Sequence, residues 1–220
     1  RKNNVFNSNQ ADLWPCNEVK LYEVDNNLKR EKVLNFSKED KNNLLYMITN
    51  NKISRIIKDK IRNNYKINVK SNIEVKKLFD ADGIKFIETF DKNSFKYDLI
   101  ILCTGKNSFL TKEFLGTKYS DFSSDETSVI NTIDHERKKN NIARQFFLEE
   151  GPLAFLPISS YQTSIVWSVK NFFLNQRMKN RDLLIKKNLK NFVNNFYKNV
   201  KFIHKFEYDN LNFHFSHTCY

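Results

Sequence analysis

The sequence predicts a mixed α+β protein built around an antiparallel sheet, with α/β character where one strand runs into a loop and helix. Three observations predict it. Residues 126–170 hold four successive strand-like runs, TSVINTID, NIARQFFLEE, PLAFLPI and TSIVWSV, and Ser159-Ser160-Tyr161-Gln162 supplies the turn between the last two. The segments 39–64 and 181–199 instead space their apolar residues as helices do. The apolar run YDLIILC stops abruptly at Thr104-Gly105 and a helix-like stretch follows.

Taken in chain order, residues 1–36 read as short strands and loops. Val19, Leu21 and Tyr22, then Val33, Leu34 and Phe36, are apolar runs, and Asp25-Asn26-Asn27 between them predicts a hairpin. The helix over 39–64 rests on Leu44, Leu45, Ile48, Ile53, Ile56, Ile57 and Ile61, with Ser37 as its cap and a break at Asn50-Asn51. Residues 66–102 read as the strands INV, IEVKKLF, IKFIETF and the buried YDLIILC. Asp80-Ala81-Asp82-Gly83 turns between two of them. The helix at 181–199 is expected to bury Leu183, Leu184, Leu189, Phe192, Val193 and Phe196. Residues 201–220 return to short strands.

Composition sets the class. In 220 residues, 40% are hydrophobic and 28% charged, which is the globular range and enough chain to bury a core. Twenty Phe and nine Tyr supply large packing units. The net charge is +12, but the lysines are scattered among Asp and Glu, which reads as a solvated surface with a weak pull toward anionic bilayers. No Arg-rich run or RNA-binding motif accompanies the aromatic residues, so a nucleic-acid partner is not expected. Cys16, Cys103 and Cys219 are far apart and odd in number, which points to a reducing compartment. No signal peptide and no apolar run of membrane-spanning length are visible. The expected location is cytoplasmic, with peripheral contact at the inner face of the membrane as its extension.

Sites with generic chemistry are few. His214, His217 and Cys219 could ligate zinc, but strand alternation sets the two histidines on opposite faces. The DxDG string at 80–83 lacks the later acidic ligands of a calcium loop. Asp134-His135-Glu136 puts a His beside acids that alternation points away from it. No GxSxG elbow, phosphate loop or GxGxxG occurs, and no acid–base pair identifies a catalytic residue. The end of YDLIILCTG is the exception. A strand that stops at a Gly points backbone N–H groups outward, where a phosphate or a ribityl hydroxyl could meet them.

One stretch carries a resemblance. NNIARQFFLEEGPLAFLPISSYQTSIVWSV resembles the substrate-domain sheet of the ubiquinone-biosynthesis flavoprotein hydroxylases, relatives of para-hydroxybenzoate hydroxylase. The family shows a His-Glu pair, a Gln-containing strand, Gly-Pro-Leu-Ala-x-Leu-Pro and a strand ending Val-Trp-Ser. Here stand His135-Glu136, Gln145, Gly151 to Pro157 and Val166-Trp167-Ser168, in that order. YDLIILCTGKNSFLTK is similar to the family's second flavin motif: Gly105 and Ser108 match, Thr104 replaces an Asp, and Thr111 stands at an Arg position beside Lys112. LLYMITNNKISRIIKDKI is similar to the helix that leads back to the flavin domain, with Asn50 where relatives carry an Arg or Gln.

The resemblance implies a partial FAD-binding domain joined to an antiparallel substrate domain. The implied division is substrate-domain strands at 1–36, partial FAD-binding domain at 37–118, and substrate-domain sheet and helix at 119–220. The family's GxGxxG unit is expected to precede residue 1, and its Gly-Asp-Ala-Ala-His motif to follow Tyr220. The implied cofactors are FAD and a nicotinamide reductant, NAD(P)H, and the implied reaction passes one oxygen atom to an electron-rich phenol. The flavin is expected to meet Asn50, Thr104, Gly105 and Ser108. Substrate is expected at Leu156, Ile158 and Val166, whose apolar side chains suit a prenylated ring. The implied partners are that small aromatic and a ubiquinone-synthesis complex. Rival readings are a flavin hydroxylase for another aromatic substrate and a non-catalytic binding module that lost its flavin anchors.

Overall fold

A computed structural model describes residues 13–24, 30–37, 43–105, 108–110, 113, 119–175 and 181–216. The chain divides into two compact units: residues 1–63 with 124–211, and residues 64–123 with 212–220.

The first unit is built on the mixed sheet. Its long strands are β2 (Glu18–Val24), β3 (Arg30–Ser37), β8 (Tyr119–Asp134), β9 (Ile142–Leu148), β10 (Gly151–Pro157) and β11 (Gln162–Lys170). The order is β12-β8-β11-β10-β9-β2-β3, where β12 is Lys201–Phe202, and β13 (Glu207–Ser216) also pairs β8. The predicted four strands of 126–170 are present and antiparallel. The sheet as a whole is not purely antiparallel. β2 runs parallel to β9, with Leu21 opposite Gln145, so the first hairpin is grafted onto the later meander. That hairpin, β2 with β3, forms as its apolar runs predict. Its turn at 25–27 lies outside the described residues.

Alternation gives the sheet two different faces. Along β10 and β11, every second residue is buried and its neighbour half-buried. The buried set packs under helix α3 (Arg181–Val193). Leu153, Phe155, Ile165 and Trp167 meet Ile185, Leu189, Phe192, Val193 and Tyr197 there. Phe146 sits among aromatic edges, 5.1 Å from Phe155 and 4.8 Å from Phe192 between ring centroids. Each such side chain contributes roughly 1.5–3 kcal/mol by burial. Helix α3 buries Leu189, Phe192 and Val193 as predicted, but takes Ile185 in place of Leu183 and Leu184. Leu183 and Leu184 are exposed, while Ile185, Leu189, Phe192 and Val193 turn inward. The 185/189/192/193 spacing follows i, i+4, i+7, i+8, and Leu183 and Leu184 fall off that face. A short helix α2 (Asn171–Asn175) precedes it.

The predicted helix over 39–64 is shorter. Leu45–Met47 form strand β4, paired with β1 (Trp14–Cys16), and Leu44 N–H donates to Cys16 O at 2.8 Å. Helix α1 begins only at Asn50 and ends at Arg62. The apolar residues before Asn50 belong to a sheet ladder, and the Asn-Asn break marks the change of element.

The second unit contains the meander β5 (Val75–Ala81), β6 (Ile84–Thr89), β7 (Ser94–Tyr97). Asp82 and Gly83 turn β5 into β6 at φ 53° and 79°, as the sequence predicts. Asp80 accepts from Gly83 N–H at 3.1 Å and pairs with Lys85, so its carboxylate serves the turn. Two predicted strands are absent. Residues 67–69 are coil, with Ile67 and Val69 exposed. The run 98–105 is also irregular, with Leu99 72% and Ile101 76% exposed. An apolar run becomes a buried strand only with ladder partners on its edges, and among the described residues none pairs with this one.

Candidate functional site

The half-buried face of the sheet is the candidate substrate wall. Ala154 lies opposite Val166, and Leu156 opposite Ser164, so all four side chains share one face. Register carries this face across six strands. Ile130 of β8 pairs Val166, Ala154 pairs Gln145 of β9, Gln145 pairs Leu21 of β2, and Leu21 pairs Leu34 of β3. The result is an apolar row with one amide, Gln145, in its middle. Leu156 and Val166 are diagonal neighbours on this face, away from α3. Ile158 follows the end of β10, half-buried, and its N–H donates to Gln162 O at 3.0 Å.

Gly151 explains why the stretch begins with glycine. Its φ is +133°, and a Cβ there would lie 2.0 Å from the backbone oxygen of Ser168. Only glycine lets β10 leave the 149–150 turn so close to β11. The indole N–H of Trp167 donates to Gly151 O at 3.2 Å and ties the start of β10 to β11.

The other end of the β10–β11 hairpin is held by a buried polar cluster that the sequence did not reveal. His135 Nδ1 lies 2.9 Å from Glu136 O, which can only accept, so the proton is on Nδ1. Nε2 then accepts from the Thr163 hydroxyl at 3.0 Å. Asn140 Nδ2 lies within 3.0 Å of Ser159 O, Gln162 O and Thr163 Oγ1. Tyr197 OH donates to Asn140 Oδ1 at 3.4 Å, and the Trp14 indole donates to Asn140 O at 2.5 Å. Burial pushes the His135 pKa below its ordinary value and the Tyr197 pKa above its own. His135 is thus a neutral clamp for the turn next to the wall. His135-Glu136 had a legible signal; Asn140, in a run of polar residues, had none.

The expected flavin residues fall in two places. Thr104, Gly105 and Ser108 share one loop of the second unit, where Ser108 N–H donates to Gly105 O at 3.4 Å. Gly105 has φ +81° and open space where a Cβ would stand, so a phosphate or hydroxyl could approach its backbone. That opening fits the contact a flavin would make. Asn50 is the exposed first residue of α1 in the first unit, and Thr49 before it makes no side-chain cap. Thr111, Lys112, His217 and Cys219 lie outside the described residues, as does the His214 side chain. Among the described residues no group of three His, Cys, Asp or Glu could hold a metal. No helix among them is long and apolar enough to cross a membrane.

Comparison with known proteins bears on this geometry. The chain is 32% identical over 95 residues to the mitochondrial ubiquinone biosynthesis monooxygenase COQ6 of Homo sapiens, a match covering 43% of the chain and 20% of that protein. It is 27% identical over 92 residues to the ubiquinone hydroxylase UbiL of Rhodospirillum rubrum, covering 42% of the chain and 21% of that protein. Over that stretch the chain is similar in sequence to ubiquinone-biosynthesis monooxygenases. The matched stretch spans about a fifth of the length of these curated relatives. No protein-family model matches. Among solved structures, the flavin-dependent halogenase CmlS superposes with a TM-score of 0.71 at 10% identity, over 94% of the chain and 39% of the halogenase. A flavoprotein/dehydrogenase from Cytophaga hutchinsonii gives 0.66 at 12% identity, over 94% of the chain and 53% of that protein. These likenesses show the fold: a sheet-dominated α+β architecture of the kind found in flavin-dependent enzymes.

Proposed function

We propose that the chain belongs to an FAD-dependent monooxygenase that hydroxylates an aromatic ring, and that its substrate is a prenylated phenol. The observation that carries this reading is the apolar row on the half-buried sheet face, in a chain similar over part of its length to ubiquinone-biosynthesis monooxygenases. A sheet face that only filled a core would be buried like its opposite face, where Phe155 and Ile165 are 0% exposed. Here Ala154, Leu156, Val166 and Leu21 stay half-open, as a wall that receives a ligand does.

Bound FAD would supply the oxygen chemistry, with NAD(P)H as its reductant. The chain's own part is to bind, orient and dry the ring. Leu156, Ile158 and Val166 exclude water and meet the prenyl tail. Gln145, the amide within the apolar row, can hydrogen-bond a ring oxygen and set the ring's orientation. Thr104, Gly105 and Ser108 would hold the flavin through backbone N–H and hydroxyl groups. Peripheral contact with a membrane is consistent with so apolar a substrate.

The test measures NAD(P)H oxidation by the protein expressed from its complete reading frame, with a series of phenols. Prenylated phenols should accelerate it by about tenfold or more over small charged benzoates, since each buried CH₂ is worth about 0.8 kcal/mol. Equal or better stimulation by a charged benzoate would contradict the proposed substrate. No response to any phenol, with FAD bound, would contradict the hydroxylase reading.

A further inference from the structure

A cavity of about 300 Å³ opens on the other side of the sheet, between the β9–β10 turn and helix α3. Its floor is Leu148, Leu153, Trp167, Leu189 and Phe192. Leu153 and Trp167 belong to the packed face, so this space is separate from the face that carries Leu156 and Val166. Its rim is polar: Asn188, Asn191 and Asn195, with Glu150 from the turn. Asn195 is held in place, its Nδ2 lying 3.2 Å from Asn191 O and Phe192 O. Asn188 and Asn191 are exposed helix positions at the mouth.

Three features distinguish this space from a packing fault. Protein interiors rarely leave voids much larger than a water molecule. An apolar cavity of about 150 Å³ already takes benzene, so twice that volume accepts two fused rings. An apolar floor with a few convergent polar groups is the ordinary composition of a small-molecule site. The charge is also selective. Among the described residues, Glu150 is the one ionisable residue of the lining, in a chain of net charge +12. Lys170, its neighbour across the strands, turns its Nζ to Glu149 O at 3.1 Å and is not part of the lining.

We propose that this cavity binds a small cationic aromatic molecule of up to two fused rings. The ring lies against Trp167, Leu153 and Phe192, the cationic nitrogen is held near Glu150, and the asparagine amides take its hydrogen-bonding groups. The site is independent of the proposed hydroxylase reaction, so either reading can fail alone.

The indole N–H of Trp167 reports occupancy, because Trp167 lines the cavity and is one of only two tryptophans in the chain. A ¹H–¹⁵N spectrum of Trp14→Phe assigns which indole peak belongs to Trp167; the titrations use the unaltered chain. The probes are tryptamine, indole and indole-3-acetate, identical in ring and different in charge. Tryptamine should shift the Trp167 peak saturably, about fivefold tighter than indole, a preference in keeping with one partly exposed ion pair. Indole-3-acetate should bind weakest. Glu150→Gln should bring tryptamine and indole to equal affinity. Asn188→Phe, at an exposed helix position, should close the mouth and weaken tryptamine about tenfold while the other peaks keep their places. The proposal is overturned if no probe gives a saturable shift, if the three probes bind alike, or if tryptamine binds Asn188→Phe as tightly as the unaltered chain.

Discussion

Replacing Gly151 with Ala tests the geometry of the β10–β11 hairpin. At an ordinary strand position, Gly→Ala stabilises by about 0.4–1 kcal/mol, because it stiffens the unfolded chain. Here the sign should reverse. The added Cβ would stand 2.0 Å from Ser168 O, a backbone atom, at a φ of +133°. Relief requires β10 to move from β11, which loosens the 3.2 Å Trp167 indole bond and the 2.9 Å bond from Lys170 N–H to Glu150 O. Backbone strain of about 1–3 kcal/mol and about 1 kcal/mol for each hydrogen bond sum to about 3–5 kcal/mol. For a chain of this size that lowers Tm by about 6–20 °C. Urea unfolding followed by Trp fluorescence, with circular dichroism as the thermal readout, measures it. A Gly151→Ala protein as stable as the parent would refute the argument that glycine is required there.

Other outcomes follow from the same structure. Phe155→Ala should cost about 3–5 kcal/mol, whereas Leu156→Arg, one residue along and on the half-open face, should cost about 1 kcal/mol or less; paired urea titrations compare them. His135 is neutral in the fold with a depressed pKa, so its contribution is complete above the unfolded value of 6.5 and is lost as pH falls from there through the folded value. Stability measured across that window should slope downward with acid by at most about 1.4 kcal/mol per pH unit from this residue, and His135→Gln should flatten the slope. Burial holds the Cys16 thiol at a pKa of about 11, while Cys103 is exposed. In a Cys219→Ser background an aromatic disulfide reagent should label Cys103 at once and Cys16 only on unfolding. Rapid labelling of both would show that β1 does not bury Cys16.

What the sequence made legible was period-two alternation. The run from Gly151 to Val169 reads as two strands because every second residue is large and apolar on the packed side, and both strands are present. The candidate wall was legible for the same reason, since Leu156 and Val166 fall on the other parity. Less legible were elements decided by their partners. Leu44, Leu45 and Ile48 continue the helical spacing of α1, yet 45–47 pair with β1, a segment about thirty residues away. Leu183 and Leu184 were as apolar as Ile185, but only the sheet beneath selects which side of α3 is inward. After Tyr97, YDLIILC has a buried strand's composition and lacks, among the described residues, the ladder that would make it one. The parallel pairing of β2 with β9 was invisible because no local turn encodes it. The Asn140 cluster escaped because its partners come from β11, the loop after α3 and Trp14, which meet only once the sheet has formed.

The most direct test of the substrate wall is Leu156→Arg in the protein expressed from its complete reading frame. FAD content is measured alongside NAD(P)H oxidation driven by a prenylated phenol. A charge placed on the same face, diagonal to Val166 and beside the apolar row, should lower turnover of that phenol by about tenfold or more, through loss of apolar contact and burial of an unpaired cation, with FAD content unchanged. Unchanged turnover of the prenylated phenol in the Leu156→Arg protein would contradict the account.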